Sequence, residues 1–460
     1  MRRTLLLLIA AASLLASARA ASRPRYGGEL RVETAASIDR LDPAATSATP
    51  AQHALLERLA PLVFDRLVRI DSSGEFVPQL ATTWQHDGTY RRWQFWIRRN
   101  VKLHNGAVLN VNTLAQAVGV MNAAWRVRAL GEGIVIESDA PLPGLLQELA
   151  QVRNSLAVRA GDDAPVGTGA FRIKTWEPGR RAVFVAHDDH WGGRPFTDSI
   201  SITFNRSLRD QMVDLELGRA DVTEVAPEQA RRAAQNRLRV SSSEPAELLA
   251  LVFTGSQAAQ DANLRQAVAL TVDRDSIQNV IAQRQGEVAR GILPGWVSGY
   301  GFLLTHKPDV QRARRLRVET RTAPLMMLAY DTADPLARAI AERVAVNARE
   351  AGITLQVIAE TAASRSPNAD ARILRVRPGS ANPRAALQRM LDEFGRADLL
   401  ASTADSPEDL YRVERALIDE FRVVPLLHLP EVYGVNNRVR NWIQPREGGW
   451  RLDEIWLEQP

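Results

Sequence analysis

Cysteine is absent from all 460 residues. Its absence excludes disulfides, catalytic thiols, zinc–thiolate sites and lipid attachment at an N-terminal cysteine. Lysine is almost as scarce, with only Lys102, Lys174 and Lys307, so the basic side of the charge balance is arginine. Past the N-terminus no eighteen consecutive apolar residues occur, and no later segment reads as a membrane span. No low-complexity tract and no repeat of fixed period is present, which excludes solenoids and disordered tails. Charges of both signs are interspersed, and without a basic cluster a nucleic-acid partner is not expected. Gly-x-Ser-x-Gly, His-Glu-x-x-His and a suitably placed Ser-x-x-Lys are missing too, so no hydrolase motif stands out.

What is present is the composition of an ordinary globular chain, 45% apolar and 24% charged. The length suffices for two or three domains with their own cores. The first twenty residues, MRRTLLLLIAAASLLASARA, place Arg2 and Arg3 before an apolar run and end on a small-x-small site. This pattern predicts a secretory signal peptide over 1–20, cleaved before Ala21, with a retained anchor as the alternative. The mature chain is then expected in the periplasm, and it is not a lipoprotein. The leader holds three arginines and no acid, leaving 55 basic against 53 acidic residues and a net charge of +2.

Along the mature chain, apolar periodicity alternates between strand and helix. Phe171 and Ile173 begin a strand, Glu177-Pro178-Gly179-Arg180 is a type II turn, and RAVFVAH returns. SISITF is a further strand, and the next helix carries Leu208, Met212 and Leu215 on one face. Between 325 and 358, LMMLAY, a helix capped by Asp334 with Pro335 at its first position, and ITLQVI form a βαβ unit. From about 360 to 385 the chain reads as polar and irregular. Helices follow near 384–395 and 407–420, and VVPLLHL is the last apolar strand. The pattern is mixed α/β.

His187, Asp188, Asp189 and His190 are a candidate metal cluster. Against that reading, strand alternation puts His187 and His190 on opposite faces of a straight strand. His104, in KLHNG, reads as a turn residue.

Three blocks carry a family likeness. The first is LVFDRLVRIDSSGEFVPQLATTWQHDGTYRRWQFWIRRNVKLHNGAVLN, with Pro78, Leu80, Ala81, Trp84, Phe95, Arg98, Val101, His104 and Gly106 at characteristic spacing. The second joins GTGAFRIKTWEPG, HWGGRP, DSISITF and DLELGRADV, and the third is ANLRQAVALTVDRDSI. Together they resemble the family 5 extracellular solute-binding proteins, which include oligopeptide-, dipeptide- and nickel-binding components of ABC importers. The resemblance runs from about 26 to 304 and returns in VVPLLHLPEVYGVNNRV.

It implies a type II periplasmic-binding-protein fold, with two α/β lobes, a hinge, a ligand cleft between them, and an extra subdomain in lobe one. Lobe one is expected from 21–50, 165–246 and 431–460, the subdomain from 51–164, and lobe two from 247–430. Peptide-binding members place an aspartate against the ligand's ammonium in a Trp-x-x-Asp-Tyr-x-Asp-Pro stretch. In DARILRVRPGSANPRAAL, anchored on Pro383, Val376 stands for the tryptophan, Gly379 for that aspartate, Ser380 for the tyrosine and Asn382 for the second aspartate. Gly379 offers no counter-charge, while Arg375 and Arg377 bring positive charge. That favours an anionic or neutral ligand if the arginines face the cleft, and leaves the pairing to another acid if they are solvated loop residues. The stretch from 360 to 400 also reads as compressed for the family.

The candidate ligand residues are thus Ser37 and Ile38 after the first strand, Trp296 as a stacking or core residue, and Arg375, Arg377, Gly379, Ser380 and Asn382 as the facing wall. The expected function is solute capture for an ABC permease of the inner membrane, by a monomer without catalysis, cofactor or bound metal. The alternatives are a ligand sensor or scaffold of the same fold, and, last, a secreted metalloenzyme using His187 and His190.

Overall fold

In the computed structural model the described residues are 23–45, 49–71, 73–159, 165–304, 307–320, 325–361, 364–400, 406–446 and 449–458. The leader expected over 1–20 lies outside them.

Strand β1 (Glu29–Glu33) is followed by helix α1 (Pro50–Val63), whose N-cap Thr49 accepts from the Gln52 N–H. Leu55, Leu56, Leu59, Leu62 and Val63 bury one side of α1 against the sheet that contains β1. The helix therefore packs on lobe one's main core, although 51–63 lies within the span read as the extra subdomain. Strands β2 (Ala81–His86) and β3 (Arg92–Ile97), helix α2 (Val111–Gly119), strands β4 (Arg126–Leu130) and β5 (Gly133–Glu137), and helix α3 (Leu145–Leu149) come next. The sheet β2-β3-β5-β4 and these helices enclose a separate core around Trp93, Phe95, Leu114, Ile134 and Ile136.

The chain then re-enters the first layer. A hairpin of β6 (Phe171–Glu177) and β7 (Arg181–Ala186) turns at Gly179, where φ of +66° suits glycine. Strand β8 (Ser199–Thr203), helix α4 (Leu208–Glu216), β9 (Val222–Val225) and β10 (Val240–Ser242) follow. Helix α4 buries Leu215 with Gln211 and Asp214, while Leu208 and Met212 are half-buried, so its inner face is more polar than the apolar stripe predicted.

Lobe two opens with β11 (Glu247–Phe253) and β12 (Glu287–Val288), then helix α5 (Val310–Glu319). Strand β13 (Leu325–Asp331), helix α6 (Pro335–Arg349) and β14 (Thr354–Glu360) form the βαβ unit, with β13 and β14 parallel. The supposedly irregular stretch holds a strand, β15 (Ala371–Val376), paired with β11 and β13. Helices α7 (Pro383–Glu393) and α8 (Pro407–Asp419) precede β16 (Val423–Leu429). VVPLLHL is not the last apolar strand, because β17 (Val432–Val435) follows and joins the other sheet.

The result is a seven-stranded mixed sheet, β10-β17-β9-β1-β8-β7-β6, and a six-stranded one, β12-β16-β11-β15-β13-β14. Among the described residues the chain passes between them twice, from β10 to β11 and from β16 to β17. No described helix is long and apolar enough to cross a membrane.

Candidate functional site at the interlobe seam

The two crossovers run side by side. Ser243 N donates to Glu431 O at 3.0 Å, Ser243 Oγ accepts from Glu431 N at 3.0 Å, and Ala246 N donates to Leu429 O at 3.0 Å. Each crossover carries one buried acid, Glu247 on the first and Glu431 on the second. A buried carboxylate needs a paired cation, and arginines from both lobes supply it.

From lobe one, Arg58 of α1 places Nη2 2.7 Å from Glu431 Oε2 and Nη1 3.0 Å from Glu224 Oε1. Its guanidinium also lies 5.7 Å from the Tyr433 ring centroid and 5.3 Å from that of Trp450. From lobe two, Arg377 Nε donates to Glu247 Oε1 at 2.9 Å and lies 2.7 Å from Glu431 Oε1. Arg375 places Nη1 2.5 Å from the other Glu247 oxygen and Nε 2.9 Å from Asp334 Oδ2. A chain of alternating charge thus runs Glu224, Arg58, Glu431, Arg377, Glu247, Arg375, Asp334. On the lobe-one side it reaches the turn after β1, because Glu224 Oε2 accepts from Ala35 N at 2.7 Å.

Burial opposes ionisation of Glu431, but Arg377 and Arg58, helped by the Gly449 N–H and the Tyr433 hydroxyl, hold its carboxyl at about 2. Burial likewise works against the charge on Arg375, and Glu247 and Asp334 outweigh it, keeping the guanidinium above its ordinary value. Glu431 and Arg375 are therefore held in their charged forms at neutral pH.

Beside it a second bridge joins the lobes. Arg389 of α7 pairs with Glu57 of α1 through Nη1 and donates from Nε to the Arg377 carbonyl at 3.0 Å. Its side chain passes over Gly379, within 3.1–3.3 Å of where a Cβ there would sit. Gly379 has φ of +65°, so the chain turns tightly beneath that guanidinium.

The residues predicted from sequence fall into three groups. Arg375 and Arg377 stand in the charged seam; they are strand-end residues engaged with acids, not solvated loop arginines. Gly379, Ser380 and Asn382 follow them. Ser380 Oγ accepts from Asn382 N at 3.1 Å, and Asn382 caps α7 by accepting from Ala385 N at 3.0 Å. Asn382 also borders a cavity of about 120 Å³ shared with Gln147 of α3, Ser298 and Tyr300. Trp296 lies at the edge of the crossovers, donating from Nε1 to Pro245 O at 2.9 Å under the Arg446 guanidinium. Ser37 is half-buried on the lobe-one side, whereas Ile38 belongs to the lobe-one core.

Sequence reasoning missed Arg58, Glu57, Glu224, Glu247, Glu431 and Arg389. A signal existed for two of them: Glu247 and Glu431 are single acids set against otherwise apolar strand sequence.

The histidines have another role. Residues 187–190 form a turn after β7, closed by His190 N donating to His187 O at 3.0 Å, so strand alternation does not separate the two rings. His187 Nδ1 and His104 Nε2 both address the Gly169 carbonyl, at 3.2 and 2.9 Å, and His190 Nδ1 faces Gly193 O at 3.2 Å. One nitrogen of each ring is thus turned to a backbone carbonyl. Among the described residues no three His, Asp or Glu side chains are arranged to hold a metal ion. Nearby, Asp65 accepts from Thr168 Oγ1 at 2.9 Å, Trp191 Nε1 at 2.7 Å and Gln79 Nε2 at 2.7 Å, fastening the GTG and HWGG motifs to the subdomain.

With this architecture in view, comparison with known proteins is decisive for the family. The model of the bacterial extracellular solute-binding proteins, family 5 (middle), matches residues 134–398, more than half of the chain. The chain belongs to that family. Among curated relatives, the probable D,D-dipeptide-binding periplasmic protein DdpA of Escherichia coli is 23% identical over 314 residues, covering 59% of this chain and 60% of its own length. The nickel-binding protein NikA of Staphylococcus aureus is 23% identical over 282 residues, 57% of each. The matches thus span about three-fifths of those relatives. In fold, the chain is similar to NikZ from Campylobacter jejuni in complex with Ni(L-His), with TM-score 0.80, 18% identity, and coverage of 93% of this chain and 99% of the other. The fold is the two-lobed α/β form of these binding proteins, and the family is one of extracellular solute-binding proteins, not enzymes.

Proposed function

We propose that this protein captures a small solute between its lobes and delivers it to an ABC permease in the inner membrane. The observation that carries this reading is the pair of adjacent crossovers, the covalent links between two α/β lobes, with charged groups of both lobes facing each other beside them. Such a joint supports hinge closure on a ligand. Relatives named for a D,D-dipeptide and for nickel bracket the solute without fixing it.

Arg377 is the group best placed to meet the solute. Its Nε is held by the two crossover acids, while neither Nη atom donates to a described residue. An anchored guanidinium with a free outer edge presents paired donors to a carbonyl or carboxylate. Ser37 on the lobe-one side and Gly379, Ser380 and Asn382 on the other form the walls, and Trp296 closes the hinge end. Export through a leader removed before Ala21, a periplasmic location and a monomeric state complete the proposal.

Native mass spectrometry of the exported protein, residues 21–460, purified without refolding, tests it. A bound species released on denaturation is expected. Calorimetry with that species should show R377A weakened about tenfold or more, the scale of a charge-assisted hydrogen bond. A ligand-free mass, followed by a peptide, amino-acid and metal-chelate screen with no binder, would sink solute capture.

A further inference from the structure

We infer that the two lobes are latched to each other by ion pairs of the protein itself, so that the closed arrangement is the resting state before any solute binds. The inference rests on the interlobe reading above and goes beyond it, because it assigns the energy of closure to named side chains.

Two bridges carry it. Glu57 and Arg389 lie on helices of different lobes, α1 and α7, and meet directly. Both are shielded, with side-chain exposures of 26% and 16%. Arg389 is not a free surface arginine, since its Nε is spent on the Arg377 carbonyl. This fixes its reach toward Glu57. The second bridge is Arg377, a lobe-two residue lying between the acids of the two crossovers. Glu431 is shared in turn with Arg58, a lobe-one residue. Rotation of the lobes about the crossovers pulls Arg389 from Glu57 and strains Arg377 between its two carboxylates.

The charges explain why this favours closure. Four arginines (58, 375, 377 and 389) face five acids (57, 224, 247, 334 and 431) along the seam. Each of the four guanidiniums is matched by a carboxylate of the protein itself, so the contacts that hold the lobes together need no ligand. A half-buried pair is screened less by salt and water than a surface pair, so its attraction persists at physiological ionic strength. A solute that enters when the latch opens then needs to supply less of the free energy of closure.

The absence of native cysteine allows a direct test. Val120 beyond α2 and Val318 on α5 are 86% and 83% exposed and belong to different lobes. A V120C/V318C protein, labelled with a donor and an acceptor dye, reports lobe separation by single-molecule energy transfer without solute. The expected histogram is dominated by one high-transfer population. E57Q and R389Q should each lower the closed-to-open ratio about tenfold, the effect of losing one shielded, charge-assisted contact. R389K, which keeps the charge, should recover part of the closed population. Thermal melts of each variant verify that it is folded, and the exposed end of the network makes E57Q the safer of the two.

A histogram already open in the parent protein overturns the latch, as does one unchanged in both E57Q and R389Q. The outcome is separable from that of solute capture. Closure is read here without solute, whereas capture is read from the species retained in the native mass spectrum.

Discussion

Arg58 Nη2 and Glu431 Oε2 meet at 2.7 Å, and the side chains are only 8% and 6% exposed. One comes from helix α1 and the other from the second crossover, so this contact ties the hinge to lobe one. R58M leaves Glu224 without its guanidinium and Glu431 with Arg377 as its one cation. The expected cost is about 3 kcal/mol, the lower end for breaking a buried pair, because Arg377 still compensates Glu431. Urea unfolding followed by tryptophan fluorescence checks it, and a loss under about 1 kcal/mol would show that water replaces the arginine.

Strand β15 shows why this network was not visible in the sequence. Arg372 and Arg375 interrupt its apolar run, and in isolation ARILRV between polar tracts reads as loop. The arginines are compatible with a strand because each meets an acid far along the chain or across the sheet, Glu360 for Arg372 and Glu247 for Arg375. Charge pairing over such sequence distances leaves no local trace. The βαβ unit over 325–358 was legible for the opposite reason. Asp334 as cap, Pro335 at the first position and an alanine- and valine-rich helix face are all local signals, and each appears in the structure. The candidate wall was legible in part: Arg375 and Arg377 were singled out, but their partners and the guanidinium over Gly379 were not.

The GTG motif makes a second prediction. A Cβ on Gly167 would lie 1.8 Å from the Val63 carbonyl oxygen and 2.8 Å from its carbon. Backbone cannot yield as a flexible side chain can, so G167A must displace the end of α1 or the start of β6. The expected loss is about 3 kcal/mol, at the upper end for overpacking. G88A, where nothing lies within 4 Å, is the matched control and should be close to neutral. Equal melting temperatures for the two variants would contradict the close approach.

Acid should weaken the fold through its histidines. Burial lowers both His104 and His428 from an ordinary value of 6.5 to about 4, against the opposing hydrogen bonds to Gly169 O and Ile292 O. The unfolded chain therefore takes up these protons first as pH falls. Their contribution is intact above about pH 6.5 and is lost progressively down to about 4. Each is worth about 3 kcal/mol over that window, because every pH step by which folded and unfolded titrations are separated contributes about 1.4 kcal/mol. Urea midpoints at pH 7.5 and 5 measure the slope, and H104N/H428N should flatten it. A double variant with the parent slope would place the acid sensitivity elsewhere.

Glu414 should act with the opposite sign. It is fully buried on α8. One oxygen accepts from Leu293 N at 3.0 Å, while Oε2 has no hydrogen-bond partner among the described residues. Burial raises its carboxyl from 4.5 to about 7, more than the Leu293 N–H can offset. The folded state thus holds a proton that the unfolded chain has released. Its stabilising contribution is present below about pH 4.5 and is lost as pH rises through 7, where the ionised group sits in apolar surroundings. This loss overlaps the window in which the histidines gain, so each masks part of the other's slope. E414Q keeps an acceptor for Leu293 and removes the titration. It should be more stable than the parent at pH 8 by up to about 3 kcal/mol. At pH 4.5 that advantage should vanish, and the acid slope of the variant between pH 7 and 4.5 should be steeper than the parent's. Unfolding free energies that differ by the same amount at both pH values would show instead that Glu414 does not change protonation across this range.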